Sequence, residues 1–161
     1  MKRNVWLYLL LLVVSLAGET RAQDIYKTIL VDAETTMNDE SNNIVVRKIA
    51  TFKYDDLRYI YSKAVQGENE VTYKFLDDQA YYLSLFINSF ISDVLLNESL
   101  SKSDKKKKIN LYIDATGSNP LFNDTDKGLV NAYVNDSKNQ YTPFCLDTDW
   151  VKAFAAVKSQ E

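Results

Sequence analysis

The amino-acid sequence predicts a mainly α-helical single domain, a helical bundle around a central helix near residues 77–97, with room for short β segments. Turn residues are scarce, because after residue 22 the chain has only five glycines and prolines: Gly67, Gly117, Pro120, Gly128 and Pro143. A sandwich or barrel of many short strands needs more turn residues than this. The few long elements that remain favour about six helices, with an α+β fold as the alternative.

The N-terminus has the layout of a secretory signal peptide. Lys2 and Arg3 precede an apolar run over residues 5–17, and Thr20 and Ala22 suit the −3 and −1 positions of a cleavage site. The run is shorter than the ~20 apolar residues that cross a bilayer. We therefore predict a signal peptide over 1–22, an exported globular domain over 23–161, and no transmembrane segment in the mature chain.

The first two elements suit a helix or a strand. Asp24 can cap a first helix, in which apolar residues recur at helical spacing: Ile25, Ile29, Ala33 and Met37. Residues 25–31 are nonetheless dense in β-branched side chains, which strands favour. Residues 44–52 have the same ambiguity, and periodicity alone leaves both segments open.

The middle of the chain carries the clearest helical signals. One apolar stripe ends at Gly67, a natural helix stop: Leu57, Ile60, Tyr61, Ala64 and Val65. Residues 68–75 are predicted to be a connector or a short strand. Asp77 is placed to cap the next helix, which is apolar around so much of its circumference that we expect it at the centre of the fold.

The following segments are shorter. Residues 109–116 alternate as a strand would, yet they also suit a helix. A turn at Pro120 follows, because proline holds the residue before it in an extended conformation. A short helix capped by Thr125 or Asp126 is predicted after that turn.

The stretch FCLDTDWVKAF at 144–154 predicts the start of the last helix. Two carboxylates two residues apart suggest a catalytic pair, but such residues point in different directions on a helix. Asp147 or Thr148 is predicted to cap the first turn, while Asp149 is stabilised by the positive end of the helix dipole. We expect Trp150 to be buried.

The composition excludes several chemistries. Histidine is absent and Cys145 is the only cysteine, which excludes Ser-His-Asp and Cys-His catalysis, imidazole zinc sites and internal disulfides. Residues 123–128 fail the calcium-loop pattern, because Lys127 or Gly128 falls at its fifth position. A formal net charge of −3 argues against nucleic-acid binding. We predict no cofactor and no metal site.

The remaining candidates are aromatic residues and carboxylates. Tyrosine is abundant, with 11 in the chain, and it is favoured at contact surfaces. The preferred hypothesis is an exported non-catalytic binding protein that uses Tyr59, Tyr73 and Tyr82 to contact an unknown protein or glycan.

The alternative function is a carboxylate-based hydrolase acting on glycan or cell wall. Its acids would come from Asp114, Asp124, Asp126 and Asp149, with two of them facing each other in a cleft. The basic run at residues 105–108 suggests an anion or membrane patch, but in an acidic domain a solvated helix turn is the preferred interpretation.

Three segments resemble a group of small exported proteins of Bacteroides-like gut bacteria: FLDDQAYYLSLFI, SNPLFND and TPFCLDTDWVKA. The resemblance spans most of the chain after residue 22. It implies a periplasmic, outer-membrane-associated or secreted protein, and it implies neither an activity nor functional residues. At Cys145 it leads us to expect serine, which argues against a role for the thiol.

Overall fold

The computed structural model describes residues 25–67 and 72–160. The predicted signal peptide over 1–22 and the predicted cap Asp24 lie outside these residues. The helices are α1 Ile25–Asn38, α2 Ile44–Gln66, α3 Tyr73–Phe90, a π-helix Ile91–Leu95, α4 Lys102–Gly117, α5 Lys127–Val130, α6 Ala132–Asn135 and α7 Trp150–Lys158. The described ranges contain no strand, so the mainly α prediction is confirmed.

Each segment that the sequence left open is helical. Residues 25–31 lie in α1, residues 44–52 in α2 and residues 109–116 in α4. In α2, the Asn43 side chain caps the helix by accepting the Val45 N–H at 2.8 Å, and Ile49 and Phe52 are buried. The burial of one helical face outweighs the strand preference of β-branched residues, because that preference is small and depends on context.

The central helix prediction is confirmed, with a different start. Helix α3 packs against α1, α2 and α7 and fully buries its apolar face, including Leu83, Phe86, Ile87 and Phe90. It begins at Tyr73, within the segment predicted as a connector.

Asp77 does not cap α3, so that prediction is wrong. The cap is Thr72, whose hydroxyl accepts the Phe75 N–H at 3.3 Å. Asp77 lies one turn inside α3, and its carboxylate accepts the Tyr26 N–H at 2.9 Å. Asp77 therefore satisfies a free N–H group at the start of the neighbouring helix α1.

The segment 142–150, here called the buried segment, consists of irregular chain that passes through the core and of the first residue of α7, and all nine of its residues are buried. Phe144 packs edge-on against Phe90 and Phe86, with ring centroids 5.0 and 5.2 Å apart. Trp150 is 0 % exposed and packs on Phe86 at 5.2 Å. The prediction that this indole is buried is confirmed.

Candidate functional site

The first turn of α1 joins three helices. Its Tyr26 N–H donates to Asp77 of α3, and its hydroxyl donates to the Leu57 carbonyl of α2 at 3.2 Å. The Tyr26 ring also stacks on Tyr61, with centroids 6.1 Å apart. These contacts fix the start of α1 between α2 and α3.

Five large apolar side chains remain exposed around this junction, and we call them the aromatic surface: Ile25, Tyr61, Val65, Tyr73 and Tyr81. Tyr61 and Val65 lie one turn apart on α2. Tyr73 and Tyr81 lie one turn before and one turn after Asp77 on α3, on the same side of that helix. Tyr73 is 79 % exposed, and the other four are between 41 and 56 % exposed.

Beside the aromatic surface, next to Tyr73, an exposed ion pair joins Lys74 and Asp78 at 2.6 Å, so these two charges offset each other. Burial, and to a lesser extent the nearby Tyr61 phenol, raises the pKa of Tyr26 to about 12. The phenol of Tyr26 is therefore neutral at physiological pH.

The structure separates the three predicted binding tyrosines. Tyr73 belongs to the aromatic surface. Tyr59 is 6 % exposed, because its ring packs against Phe122 and its hydroxyl donates to Asp124 at 3.0 Å. Tyr82 is partly buried between Tyr81 and Phe154. The expectation that Tyr59 lies on a binding face is wrong.

Tyr61 was predicted to lie in the apolar stripe of α2, and no binding role was predicted for Tyr81. Tyr61 lies at the edge of the α2 stripe, where burial depends on how far α1 reaches across it. The four-residue spacing of Tyr73, Asp77 and Tyr81 could have indicated this surface, because it places a carboxyl group between two rings on one side of the helix.

Of the four acids proposed for the hydrolase, two cap helices and a third is exposed on the surface. Asp114 is exposed on α4. Asp126 caps α5 by accepting the Leu129 N–H at 3.0 Å, as one of the two predicted alternatives. Asp149 caps α7 by accepting the Lys152 N–H at 3.2 Å.

Asp124, the fourth acid, is held in its ionised form. Lys63 lies 2.7 Å from its carboxylate, and the Asp126 N–H and the Tyr59 hydroxyl also donate to it. The Lys63 ammonium, ahead of the other donors, lowers the pKa of Asp124 to about 2. A general acid needs a raised pKa, so this environment suits a structural carboxylate.

Asp147 and Thr148 do not cap α7, so these two predictions are wrong. The Asp147 carboxylate accepts the backbone N–H groups of Leu121, Phe122 and Asp124 at 3.1, 2.7 and 2.7 Å. The Thr148 hydroxyl donates to a carbonyl within the buried segment at 2.6 Å. Both side chains serve the buried segment and the loop beside it, because α7 begins only after Asp149.

An acid that the sequence analysis did not single out lies at the centre of the core. Asp56 is 0 % exposed, and its Oδ2 accepts the Trp150 Nε1–H at 2.8 Å. Within the described ranges its Oδ1 has no hydrogen-bond partner. Burial, and to a lesser extent the charge of Asp147, raises the pKa of Asp56 well above its ordinary value. Its position one turn after Phe52, on the apolar side of α2, could have indicated that Asp56 is buried.

Metal binding and membrane insertion find no support in the described part of the chain. Residues 25–67 and 72–160 contain no group of three acids or thiols able to hold a metal ion. None of the helices described is both long enough and apolar enough to cross a membrane. Comparison of the chain with protein families, curated proteins and solved structures finds no match.

Proposed function

We propose that this chain is an exported, non-catalytic binding protein of the bacterial envelope or secretome, and that the aromatic surface contacts its partner. The supporting observation is the exposure of five large apolar side chains around one helix junction, above a filled core. Contiguous apolar groups on a protein surface mark interaction sites. Tyrosine is favoured in such sites, because it combines a large apolar area with a hydrogen-bonding end.

The composition of the aromatic surface favours a protein partner over a glycan. Ile25 and Val65 add aliphatic area, which an apolar protein side chain covers better than a hydroxylated sugar does. The Lys74–Asp78 ion pair supplies a polar rim beside the rings, as at protein interfaces with an apolar centre.

Export is supported by the pattern of residues 1–22. The resemblance to small exported proteins of Bacteroides-like bacteria agrees with that pattern and stays a prediction. Together they support a partner in the envelope or outside the cell.

The hydrolase alternative has no observation in its favour. A glycosidase pair requires two facing carboxyl groups in a cleft, one with a raised pKa. Asp56, whose pKa is raised, is completely buried, and Asp124 is held ionised by Lys63.

Site-specific photo-crosslinking tests the proposed function. The benzophenone amino acid p-benzoylphenylalanine replaces Tyr73 in one variant and Lys106 in a control variant, because both positions are exposed and lie on different helices. We expect irradiation of living cells to give a discrete protein adduct from position 73 and none from position 106. Tyr61→Ser together with Tyr81→Ser should abolish that adduct without lowering the thermal stability by more than a few degrees.

The outcomes separate the partner classes. An adduct that resists proteases and is shortened by glycosidases would assign the surface to a glycan and contradict the protein partner. The same set of adducts at both positions, or no adduct at position 73, would contradict the aromatic surface as a binding site.

A further inference from the structure

A surface pocket of about 560 Å³ lies at the other end of α3. The π-helix, α4 and the last turn of α7 form its walls, with lining residues that include Asp93, Asn97, Lys107, Lys108, Leu111 and Lys158. Asp93 follows Tyr73 by twenty residues along a nearly continuous helix, which places the two ends roughly 30 Å apart. The pocket is therefore separate from the aromatic surface, and the inference does not rest on the proposed function.

Lysines from two distant parts of the sequence meet in this pocket. Lys107 and Lys108 come from the basic run of α4, and Lys158 comes from the end of α7. A solvated helix turn, which the sequence analysis preferred for the run, does not require a third lysine from another helix. Against these three cations the lining has one carboxylate, Asp93, so the pocket is positive on an acidic chain.

The three lysines differ in their own contacts. Lys107 reaches Asp104 at 3.4 Å, outside the pocket lining. The Lys158 ammonium lies 3.8 Å from Asp93 and 5.8 Å from the centre of the Phe154 ring. Lys108 is partly buried, and among the described residues no ion pair is found for it. An anionic ligand would give Lys108 a partner.

The π-helix supplies the groups for hydrogen bonding. Asp93 lies in it, and its carboxylate accepts the Tyr112 hydroxyl at 3.0 Å, which fixes the position of the acid at the pocket wall. Asn97 follows two residues after the π-helix. Short π-helical turns are rare in proteins, but those that do occur are often found at functional sites. A carboxylate has about four lone-pair sites, so Asp93, which also accepts the Ser92 hydroxyl, can accept hydrogen bonds from ligand hydroxyls. The Oδ1 of Asn97 already accepts the Ser99 N–H and hydroxyl, so its NH₂ group remains to donate.

The remaining lining narrows the ligand class. Leu111 is the one apolar lining residue and the lining has no aromatic ring, so a nucleobase or an acyl chain would find neither a stacking partner nor an apolar wall. We propose that the pocket binds a small acidic sugar, a hydroxylated ring that carries a carboxylate or a phosphate. The lysines hold the anionic group, and Asp93 and Asn97 bind hydroxyls.

Titration of the ¹⁵N-labelled chain by NMR tests this assignment. The probes are D-glucuronate, glucose 6-phosphate, glucose and inorganic phosphate at constant ionic strength. We expect saturable shifts of the backbone amides of Asn97, Lys108 and Leu111 with glucuronate or glucose 6-phosphate, and the tighter of these two identifies the anionic group. Glucose and inorganic phosphate should bind at least about tenfold more weakly, since each lacks one half of the recognised chemistry.

Two matched double variants locate the site. Lys108→Gln with Lys158→Gln removes two pocket cations and should weaken binding by about tenfold or more. Lys105→Gln with Lys106→Gln removes two charges of α4 that lie outside the pocket lining. This control variant should change affinity less than about twofold. Equal weakening by both variants would assign the effect to general charge attraction and overturn the proposal. Equal affinity for inorganic phosphate, or no saturable shift with either acidic sugar, would overturn it as well.

Discussion

Replacement of Asp56 by asparagine is expected to remove most of the pH dependence of stability near neutral pH. The Asp56 carboxyl is fully buried and accepts a hydrogen bond from Trp150. Burial raises its pKa well above the ordinary value of 3.8, because a charge in the core is poorly solvated. The folded chain therefore keeps a proton that the unfolded chain releases.

The sign of the effect follows from proton linkage. Below pH 3.8 Asp56 is protonated in both states and contributes no pH dependence. As the pH rises above 3.8 the unfolded chain ionises, so stability falls until the pH reaches the folded-state pKa of Asp56. Groups with a lowered pKa, such as Asp124 at about 2, act in the opposite direction and only below about pH 4. The chain has no histidine, so few other groups titrate between pH 5 and 8.

One proton of difference changes the free energy of unfolding by about 1.4 kcal/mol per pH unit. For a domain of this size, that slope corresponds to a shift in the melting temperature of about 5 °C per pH unit. Asp56→Asn should remove the slope. Its amide can still accept the Trp150 hydrogen bond, but an unpartnered NH₂ group replaces Oδ1 and costs about 1–3 kcal/mol in the core. The variant is therefore expected to be less stable than the wild type near pH 4. The difference between their free energies of unfolding should shrink as the pH rises.

Urea unfolding followed by circular dichroism at several pH values between 4.5 and 8 measures this slope. Asp114→Asn is the matched control, because Asp114 is an exposed acid on a different helix, α4; its slope should remain close to that of the wild type. A wild-type unfolding free energy that stays constant across this range would refute the reasoning. An unchanged slope in Asp56→Asn would assign the effect to another group.

Three further predictions concern the corrected helix starts and the thiol. Asp147→Ala should cost about 3 kcal/mol in urea unfolding because three backbone N–H groups lose their acceptor, whereas Asp149→Ala should cost about 1 kcal/mol as a lost cap; equal costs would contradict this assignment. Thr72→Ala should lower stability by about 1 kcal/mol, and an unchanged midpoint would count against Thr72 as the cap. Burial raises the pKa of the Cys145 thiol, so iodoacetamide should modify it about a hundredfold more slowly in native than in unfolded chain; equal rates would refute its protection.

Helix content and the central helix could be predicted because they depend on local patterns. Helix α3 repeats apolar residues over five turns, and Gly67 ends the helix before it. The start of α3 was misplaced because both Thr72 and Asp77 suit a cap position. Only the position of α1, which brings the Tyr26 N–H to Asp77, distinguishes the two. A contact between residues fifty-one positions apart cannot be predicted from the local sequence pattern.

The aromatic surface could be predicted only in part for the same reason. The tyrosine excess indicates a contact surface, but exposure depends on which helix covers which ring. Tyr59 and Tyr61 are two residues apart on α2, yet Asp124 holds the first in the interior while the second stays exposed. The pocket depends likewise on the approach of Lys158 to α4.

The buried segment explains why so many polar residues are in the core. An irregular chain satisfies only part of its own backbone, here the Phe144 and Thr148 N–H groups, and each buried N–H group without an acceptor costs free energy. The Trp150 N–H donates to Gln79 at 2.9 Å, and the Asp149 N–H donates to the Asn119 carbonyl at 2.8 Å. Gln79 thus acts as an acceptor for the backbone, as Asp147 does for the neighbouring loop.

The hydrogen-bond partners of the polar groups also distinguish structural from functional groups in this protein. The buried carboxylates near Trp150 accept hydrogen bonds from backbone N–H groups or from the indole, and the unpartnered Oδ1 of Asp56 is enclosed in the core. The exposed groups proposed to bind partners lie at the two ends of α3: the rings around Tyr73 at one end and the Lys108 ammonium at the other. Because a packed helix separates the ends by roughly 30 Å, the two surfaces should bind independently. We therefore expect saturation of the pocket with an acidic sugar to leave crosslinking from position 73 unchanged.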